Sequence, residues 1–238
     1  VLGKNRSMSM VDFFNEYPPT IKFVDQSTLE GNLLVSIRSS IATYKRNNII
    51  KWDWTDVDIR KESQGDNKEA DSIQYKVIDF LKSGTDYSVI FDDDNSGEIA
   101  DVVTITEKDE FIIFGFYHCK YAHGDKPGAR LSDLYEVCGQ AEKSVAWMQD
   151  TREIIDRMMK RENQRLRNGR SSRFEKGDMK KLKELKNKMR VYPSKAEVYI
   201  VQPGVDSEAI SEGMERLLCG SSGYLMETYS IPLKIICS

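Results

Sequence analysis

The chain has 238 residues, of which 39% are apolar and 31% are charged, and its net charge is −3. No apolar run approaches the roughly 18 residues that cross a membrane, so the sequence predicts a soluble protein without a membrane partner. The four cysteines lie far apart without a C-x-x-C pair. This spacing argues against structural zinc and against a disulfide framework, and it favours a cytoplasmic protein. The start at Val1 suggests a piece of a longer protein.

Positive charge is concentrated in residues 151–190, which hold 15 Lys and Arg against 6 Asp and Glu. The rest of the chain is therefore acidic. A basic segment on an acidic body indicates a polyanionic partner, and nucleic acid is the one we expect. Arg165 and Arg167 are candidates for phosphate-backbone contacts, with a solvated charged face as the alternative.

Residues 1–60 are predicted to form a β-rich N-terminal extension. Two apolar segments on either side of a glycine-containing turn predict a hairpin of residues 20–24 with 33–37. Trp52 and Trp54 alternate with polar residues, as in a half-buried strand. The tryptophans either stack on nucleic-acid bases or, as is more common, fill a core.

Residues 61–150 carry a regular series of elements and are predicted to form the core of the protein. Helical spacing and β-branched runs predict a helix at 71–82, strands at 87–91, 102–105 and 111–120, and a helix at 131–148. The acidic turn at 92–97 resembles a calcium loop only superficially. It lacks the EF-hand spacing and is flanked by strands, so calcium binding is not expected there.

The remaining chain divides into two further parts. Residues 151–190 are predicted to be a basic helical insertion with a break near its middle. Residues 191–238 are predicted to complete the sheet with a strand at 197–202, a helix at 207–219 and a strand at 233–237. Together these patterns predict one α/β domain with inserted basic helices.

Residues whose side chains can bind a metal or take part in catalysis lie at the open end of the central hairpin, opposite its turn. Asp101 stands directly before the strand at 102–105, and the next strand ends in His118, Cys119 and Lys120. A lysine that ends an apolar strand is costly to bury unless it has a task. In enzymes that hydrolyse phosphate esters, a carboxylate can hold a divalent metal while a nearby ammonium faces the attacking water or the phosphate. Asp101 and Lys120 suit these two roles. The hypothesis requires Asp101 and Lys120 to lie on the same face of the sheet.

This arrangement over roughly residues 70–148 resembles the PD-(D/E)XK, or restriction-endonuclease-like, superfamily. That family carries an acid on its second strand and (E/Q)-x-K on its third, and Asp101 and Lys120 match these positions. His118 stands where the family usually has Glu or Gln, and Gln74 stands where the first helix often has Glu. The resemblance implies a restriction-endonuclease-like mixed sheet flanked by helices, with a β-rich lead-in and an inserted basic arm.

Several longer sequence segments show a second resemblance, which spans most of the chain. They are DWTDVDIRKESQ, GEIADVVTI, FYHCKYAHGDKPGARLSDLYEVCGQAEKSV and VYIVQPGV with KIICS. They look like a nuclease-like domain that follows bacterial superfamily-two DEAD/DEAH helicases. This implies a helicase module in the same parent polypeptide, a DNA partner, and a role in DNA processing or phage defence. No Walker A motif occurs here.

The resemblance implies phosphodiester hydrolysis with Mg²⁺ or Mn²⁺, but it leaves the ligand set open. Asp101 would share the metal with Glu98, His118 or Glu136, and imidazole suits Mg²⁺ less well than carboxylate does. Lys120 would offset charge on the transition state. The backbone contacts would come from Lys126, Arg130, Arg165 and Arg167. The alternative is an inactive nuclease-like domain that binds DNA or docks a helicase partner.

Overall fold

A computed structural model describes residues 8–23, 27–35, 44–84 and 86–238. The chain divides into two compact units, residues 1–42 and 43–238. The sequence analysis ended the N-terminal extension at residue 60, whereas the boundary between these two units lies after residue 42. None of the helices in the described ranges has the length and apolar character needed to cross a membrane.

The first unit contains one short helix and a small antiparallel sheet. Its elements are α1 (Met10–Glu16), β1 (Thr20–Lys22), β2 (Thr28–Glu30) and β3 (Leu33–Val35), with β2 in the middle of the sheet. The segments that were predicted to pair with one another both pair with β2 instead. Gly31 takes a φ of 60° in the turn between β2 and β3, where a glycine is least strained. The predicted strand ends at Val24 and Ile37 lie outside the described residues.

The second unit is built on a seven-stranded mixed sheet. Its strands are β4 (Ile49–Lys51), β5 (Tyr87–Asp92), β6 (Val102–Lys108), β7 (Phe111–Cys119), β8 (Phe174–Lys176), β9 (Ser194–Val201) and β10 (Leu233–Cys237). They lie in the order β4-β10-β9-β7-β6-β5-β8. β4, β10, β9 and β7 run parallel, whereas β6, β5 and β8 add antiparallel pairs. The predicted mixed α/β sheet is confirmed at this coarse level.

Helices cover both faces of this sheet. They are α2 (Ile73–Ser83), α3 (Ser132–Ser144), α4 (Thr151–Arg167), α5 (Met179–Lys188) and α6 (Glu212–Tyr229). Ser72 is the N-cap of α2, and its side chain accepts a hydrogen bond from the Tyr75 N–H. Its apolar residues form one core cluster with Trp54, and buried residues of α3 to α6 form the core on the other face.

The basic segment 151–190 is part of the sheet unit rather than an arm. Ile154, Ile155 and Met158 of α4 are fully buried in the larger core, and so is Leu182 of α5. Between the two helices, β8 pairs with β5 and forms one edge of the sheet. The charged residues of this segment therefore belong to helices whose apolar faces pack against the core.

The two tryptophans belong to the core on the α2 face. Trp54 is buried, and its indole N–H donates to the Cys237 carbonyl at 3.1 Å. Trp52 packs against Phe80 with 4.2 Å between the ring centroids. The core interpretation of these residues is confirmed.

Several strands end or begin at one edge of the sheet. The parallel strands β4, β10, β9 and β7 all finish there. The antiparallel order then places the end of β5 and the start of β6 at the same edge, because Asp92 pairs with Val102 and Val102 with Tyr117. The carboxyl ends of parallel strands are where open α/β sheets bind ligands.

Candidate functional site

Three carboxylates lie together at this edge. One oxygen from each of Asp94, Glu98 and Asp101 lies within 4.8 Å of the other two. Asp101 is buried, and the other two side chains are partly buried. The β5–β6 loop that carries them is held by Asp93, which accepts a hydrogen bond from the Ile99 N–H at 2.8 Å. Three convergent carboxylates repel one another, and a bound proton or cation relieves that repulsion.

The electrostatics of this carboxylate group favour a cation. Burial raises the pKa of Asp101 well above its usual value, and the neighbouring charge of Glu98 raises it further. Burial, and then the charge of Asp94, also raise the pKa of Glu98. Carboxylate oxygens are the ligands that Mg²⁺ and Mn²⁺ prefer, so the donor set fits either ion.

Asp94 is the member of this group that the sequence analysis missed. The run of acids at 92–94 was interpreted as a turn, and only its resemblance to an EF-hand was weighed. The structure flanks the loop with strands β5 and β6, so it is not an EF-hand. Glu98, one of the three alternative metal partners that the sequence analysis left open, belongs to the carboxylate group.

Asp101 lies beside the end of β7 and on the face that carries α3. Its Oδ2 accepts a hydrogen bond from the Cys119 N–H at 2.8 Å. The register places it opposite His118, since Val102 pairs with Tyr117. Strand alternation turns Asp101, His118 and Lys120 toward the same face. This alternation, continued one residue beyond the end of each strand, agrees with the expectation that Asp101 and Lys120 share one face of the sheet.

Lys120 is held by two glutamates at the same mouth. Its Nζ lies 3.0 Å from Glu136 Oε1 and 3.2 Å from Glu62 Oε2, and its side chain is only 10% exposed. Burial lowers the pKa of Lys120, but the hydrogen bond with Glu136 and the charge of Glu62 outweigh it and raise the pKa. Glu62 also contributes to the raised pKa of Asp101. Glu62 thus contacts the lysine and acts electrostatically on Asp101, and no sequence pattern had indicated it.

Glu136 and His118 are not members of the carboxylate group in the described part of the chain. Glu136 is instead the ion-pair partner of Lys120. The Nε2 of His118 lies 3.0 Å from Ser144 Oγ, and Ser144 itself donates to the Ala141 carbonyl. The imidazole therefore donates from Nε2. Burial lowers its pKa to about 3, so His118 is neutral.

Gln74 is buried and forms hydrogen bonds with both side-chain and backbone atoms around the acids. Its Nε2 donates to Asp92 Oδ1 at 3.0 Å and to the Asp101 carbonyl at 3.3 Å, and its Oε1 accepts from the Gln64 N–H at 2.9 Å. It thus contacts the main chain of Asp101 and not its carboxylate. The structure gives Gln74 a positioning role at the edge of the carboxylate group.

The four basic residues proposed for the nucleic-acid backbone differ in their surroundings. Arg130 pairs with Asp133 at 3.0 Å, and Arg165 pairs with Asp66 at 3.0 Å. Lys126 and Arg167 are exposed and form no ion pair with any described residue. Lys126 also lines a groove of about 860 Å³ that lies beside the ends of β4 and β10.

Comparisons of the chain with protein-family models, with curated proteins and with solved structures find no match. The geometry of this edge and the motif in the sequence are therefore the features that indicate a function.

Proposed function

We propose that this protein hydrolyses phosphodiester bonds of DNA with the help of Mg²⁺ or Mn²⁺. The observation that carries the proposal is the convergence of Asp94, Glu98 and Asp101 within 4.8 Å at the same edge as Lys120. These three carboxylates would hold the cation. When bound, a divalent cation polarises a phosphate oxygen and lowers the pKa of water.

Lys120 supplies the positive charge for the developing transition state. Glu62 and Glu136 fix its ammonium in place, so the charge is already oriented before the substrate arrives. A preorganised charge of this kind stabilises the transition state more than a mobile one does. Gln74 holds the Asp101 backbone, and Asp101 in turn binds the Cys119 N–H beside the lysine.

The motif supports the same proposal. Asp101 and Lys120 match the acid and the lysine of the PD-(D/E)XK pattern, and the mixed sheet is compatible with a restriction-endonuclease-like fold. We include that fold in the proposal, together with a helicase module in the parent polypeptide. Lys126 and Arg167 are the exposed cations that would contact the DNA backbone.

The alternative is a nuclease-like domain that binds DNA or docks a helicase partner without cutting. One observation favours it. His118 stands at the motif position that usually carries Glu or Gln, and its ring is buried, neutral and bonded to Ser144. In the nuclease proposal Asp94 compensates for this loss, because it brings a third carboxylate to the cation.

A cleavage assay separates the two functions. Labelled duplex and single-stranded DNA are incubated with the protein in Mg²⁺, Mn²⁺ or EDTA, beside Asp94→Asn, Asp101→Asn and Lys120→Met. Asp109→Asn is the matched control, since it makes the same change at the far turn of the hairpin, where its φ of 50° suits asparagine.

The nuclease proposal predicts metal-dependent cleavage that each site variant lowers by about 10² or more and that the control retains. Cleavage that is indifferent to Asp94 and Asp101 would remove this site from the reaction. Binding that weakens steeply with salt in every variant, without cleavage, would favour the binding module.

A further inference from the structure

A small cavity lies against the loop that carries the carboxylate group, since Asn95 and Ser96 are among its lining residues. It has a volume of about 170 Å³. Its walls include four arginines from α4 and the segment after it, Arg161, Arg165, Arg170 and Arg173, together with Gln164 and Ser96. Ser96 stands between Asp94 and Glu98 in the sequence, so the cavity and the carboxylate group share one loop.

The arginines of this cavity have fewer ion-pair partners than charges. Arg161 pairs with Asp93, while Arg165 and Arg170 share the single carboxylate of Asp66. Arg173 has no ion pair with any residue in the described ranges. Two carboxylates thus serve four guanidinium groups by direct contact.

The lack of an ion-pair partner is most costly for Arg173, because this residue is only 6% exposed. One of its terminal nitrogens donates to the Asp92 and Asp94 carbonyls, at 2.8 and 3.0 Å. Its Nε is buried and has no hydrogen-bond partner among the described atoms. Burial, and then the charge of Arg161, lower the pKa of Arg173. A buried guanidinium nitrogen that lacks a hydrogen-bond acceptor is costly, and an anion in the cavity would supply one.

We propose that this cavity binds a phosphate group, and that the group belongs to the nucleic-acid strand engaged by the carboxylate site. The volume is below the roughly 300 Å³ of pockets for larger organic ligands, and it suits a compact anion. Guanidinium forks match the oxygens of phosphate. The assignment of the phosphate to a nucleic acid rests on the proposed nuclease function, whereas phosphate binding itself does not.

The test adds one negative charge inside the cavity. Gln164→Glu replaces an exposed wall residue with a carboxylate of the same shape, which would occupy the arginines. Asn163→Asp adds the same charge at the neighbouring helix position, which does not line the cavity. Inorganic phosphate is titrated into the full 238-residue chain in EDTA by calorimetry, and circular dichroism confirms that each variant is folded.

We expect phosphate to bind the wild-type chain and the Asn163→Asp variant similarly, and Gln164→Glu to weaken binding by about 10-fold or more. Arg170→Gln, a change at the exposed rim, should weaken it in the same direction. No phosphate binding to the wild type, or equal binding to Gln164→Glu, would overturn the proposal.

A second arm identifies the source of the phosphate. Single-stranded oligonucleotides with and without a 5′-phosphate are titrated in EDTA. Weaker oligonucleotide binding by Gln164→Glu supports a nucleic-acid phosphate, whereas loss of orthophosphate binding alone overturns that assignment and leaves a site for free phosphate. Because EDTA is present, a failure of the metal proposal does not alter either titration.

Discussion

The Asp101 carboxylate accepts a hydrogen bond from the Cys119 N–H, with 2.8 Å between Oδ2 and the nitrogen. This bond ties the start of β6 to the residue directly before Lys120. The acid and the lysine are therefore held at one mouth by the backbone of the hairpin itself. The same bond uses only one carboxylate oxygen, and Asp101 also reaches Asp94 and Glu98.

Asp101→Asn should stabilise the metal-free protein and abolish its response to metal. The amide oxygen still accepts from Cys119, while the buried like-charge repulsion with Glu98 disappears. We expect the melting temperature in EDTA to rise by roughly 2–4 °C, equivalent to about 1 kcal/mol in a chain of this size. Wild-type protein at a metal concentration of 100 Kd should gain about 2.7 kcal/mol, and the variant should gain almost none.

Differential scanning calorimetry with EDTA, Mg²⁺ and Mn²⁺ measures both effects, and Asp109→Asn reports the effect of the substitution outside the site. A variant that is less stable than the wild type in EDTA, yet still responds fully to metal, would contradict a cation site at Asp101.

Lys120→Met should separate catalysis from folding. Methionine keeps the apolar stem of the lysine but leaves Glu62 and Glu136 without their cation. We expect DNA cleavage to fall by about 10²–10³, with a loss of unfolding free energy of about 1–2 kcal/mol. Single-turnover cleavage and urea denaturation measure the two quantities. Lys108→Met, at the exposed far end of β6, is the control, and a comparable loss of cleavage there would show that the effect is not local.

The sequence predicted the β6–β7 hairpin well because its signals are local. A β-branched run, an apolar run and a short turn suffice to pair the strands, and pairing brings Asp101 close to Lys120. Asp94 and Glu62 escaped notice because they lie in loops without periodicity. Their proximity to Asp101 depends on how the β5–β6 loop and the segment before α2 fold at the edge of the sheet.

Burial explains the two points at which the sequence reading and the structure differ most. Residues 151–190 were predicted to be an arm because most of their charged side chains favour solvent. The apolar face of α4, which includes Ile154 and Met158, is buried in the core instead. His118 was predicted as a metal ligand from its motif position. The packing of α3 instead presents Ser144 to its ring, and no local pattern in the sequence indicates that partner.

Gly115→Ala should destabilise the hairpin that carries the site. Gly115 pairs directly with Thr104 across β6 and β7, and an added Cβ would clash with Thr104 Oγ1 and lie 3.1 Å from the Tyr117 ring. Overpacking of this kind costs about 1–3 kcal/mol. The same change at Gly220, where nothing lies within 4 Å of the added Cβ, should instead stabilise α6 by about 0.5–1 kcal/mol.

A double-mutant cycle with Thr104→Ala tests the cause. Removal of the hydroxyl should make Gly115→Ala clearly less costly, as urea denaturation of the four proteins would measure. An equal cost in both backgrounds would place the strain elsewhere.

His118→Gln should reduce the sensitivity of the protein to acid. The folded state lowers the pKa of His118 to about 3 from an ordinary value of 6.5, so the unfolded chain binds the proton more readily. His118 therefore costs no stability above pH 6.5. As the pH falls from 6.5 toward 3, the unfolded state gains about 1.4 kcal/mol for each pH unit from this residue.

Glutamine lacks this titration but can still donate to Ser144. We expect the wild type to exceed His118→Gln in stability at pH 7.5, and this advantage to shrink by about 2 kcal/mol at pH 5. The raised pKa values of Asp101 and Glu98 act with the opposite sign, but they are common to both proteins and cancel in the difference. Urea denaturation across pH 4.5–8 measures it, with His123→Gln as the control at the other histidine. A difference that stays constant with pH would mean that the pKa of His118 is the same in the folded and the unfolded chain, and would contradict a histidine sealed against Ser144.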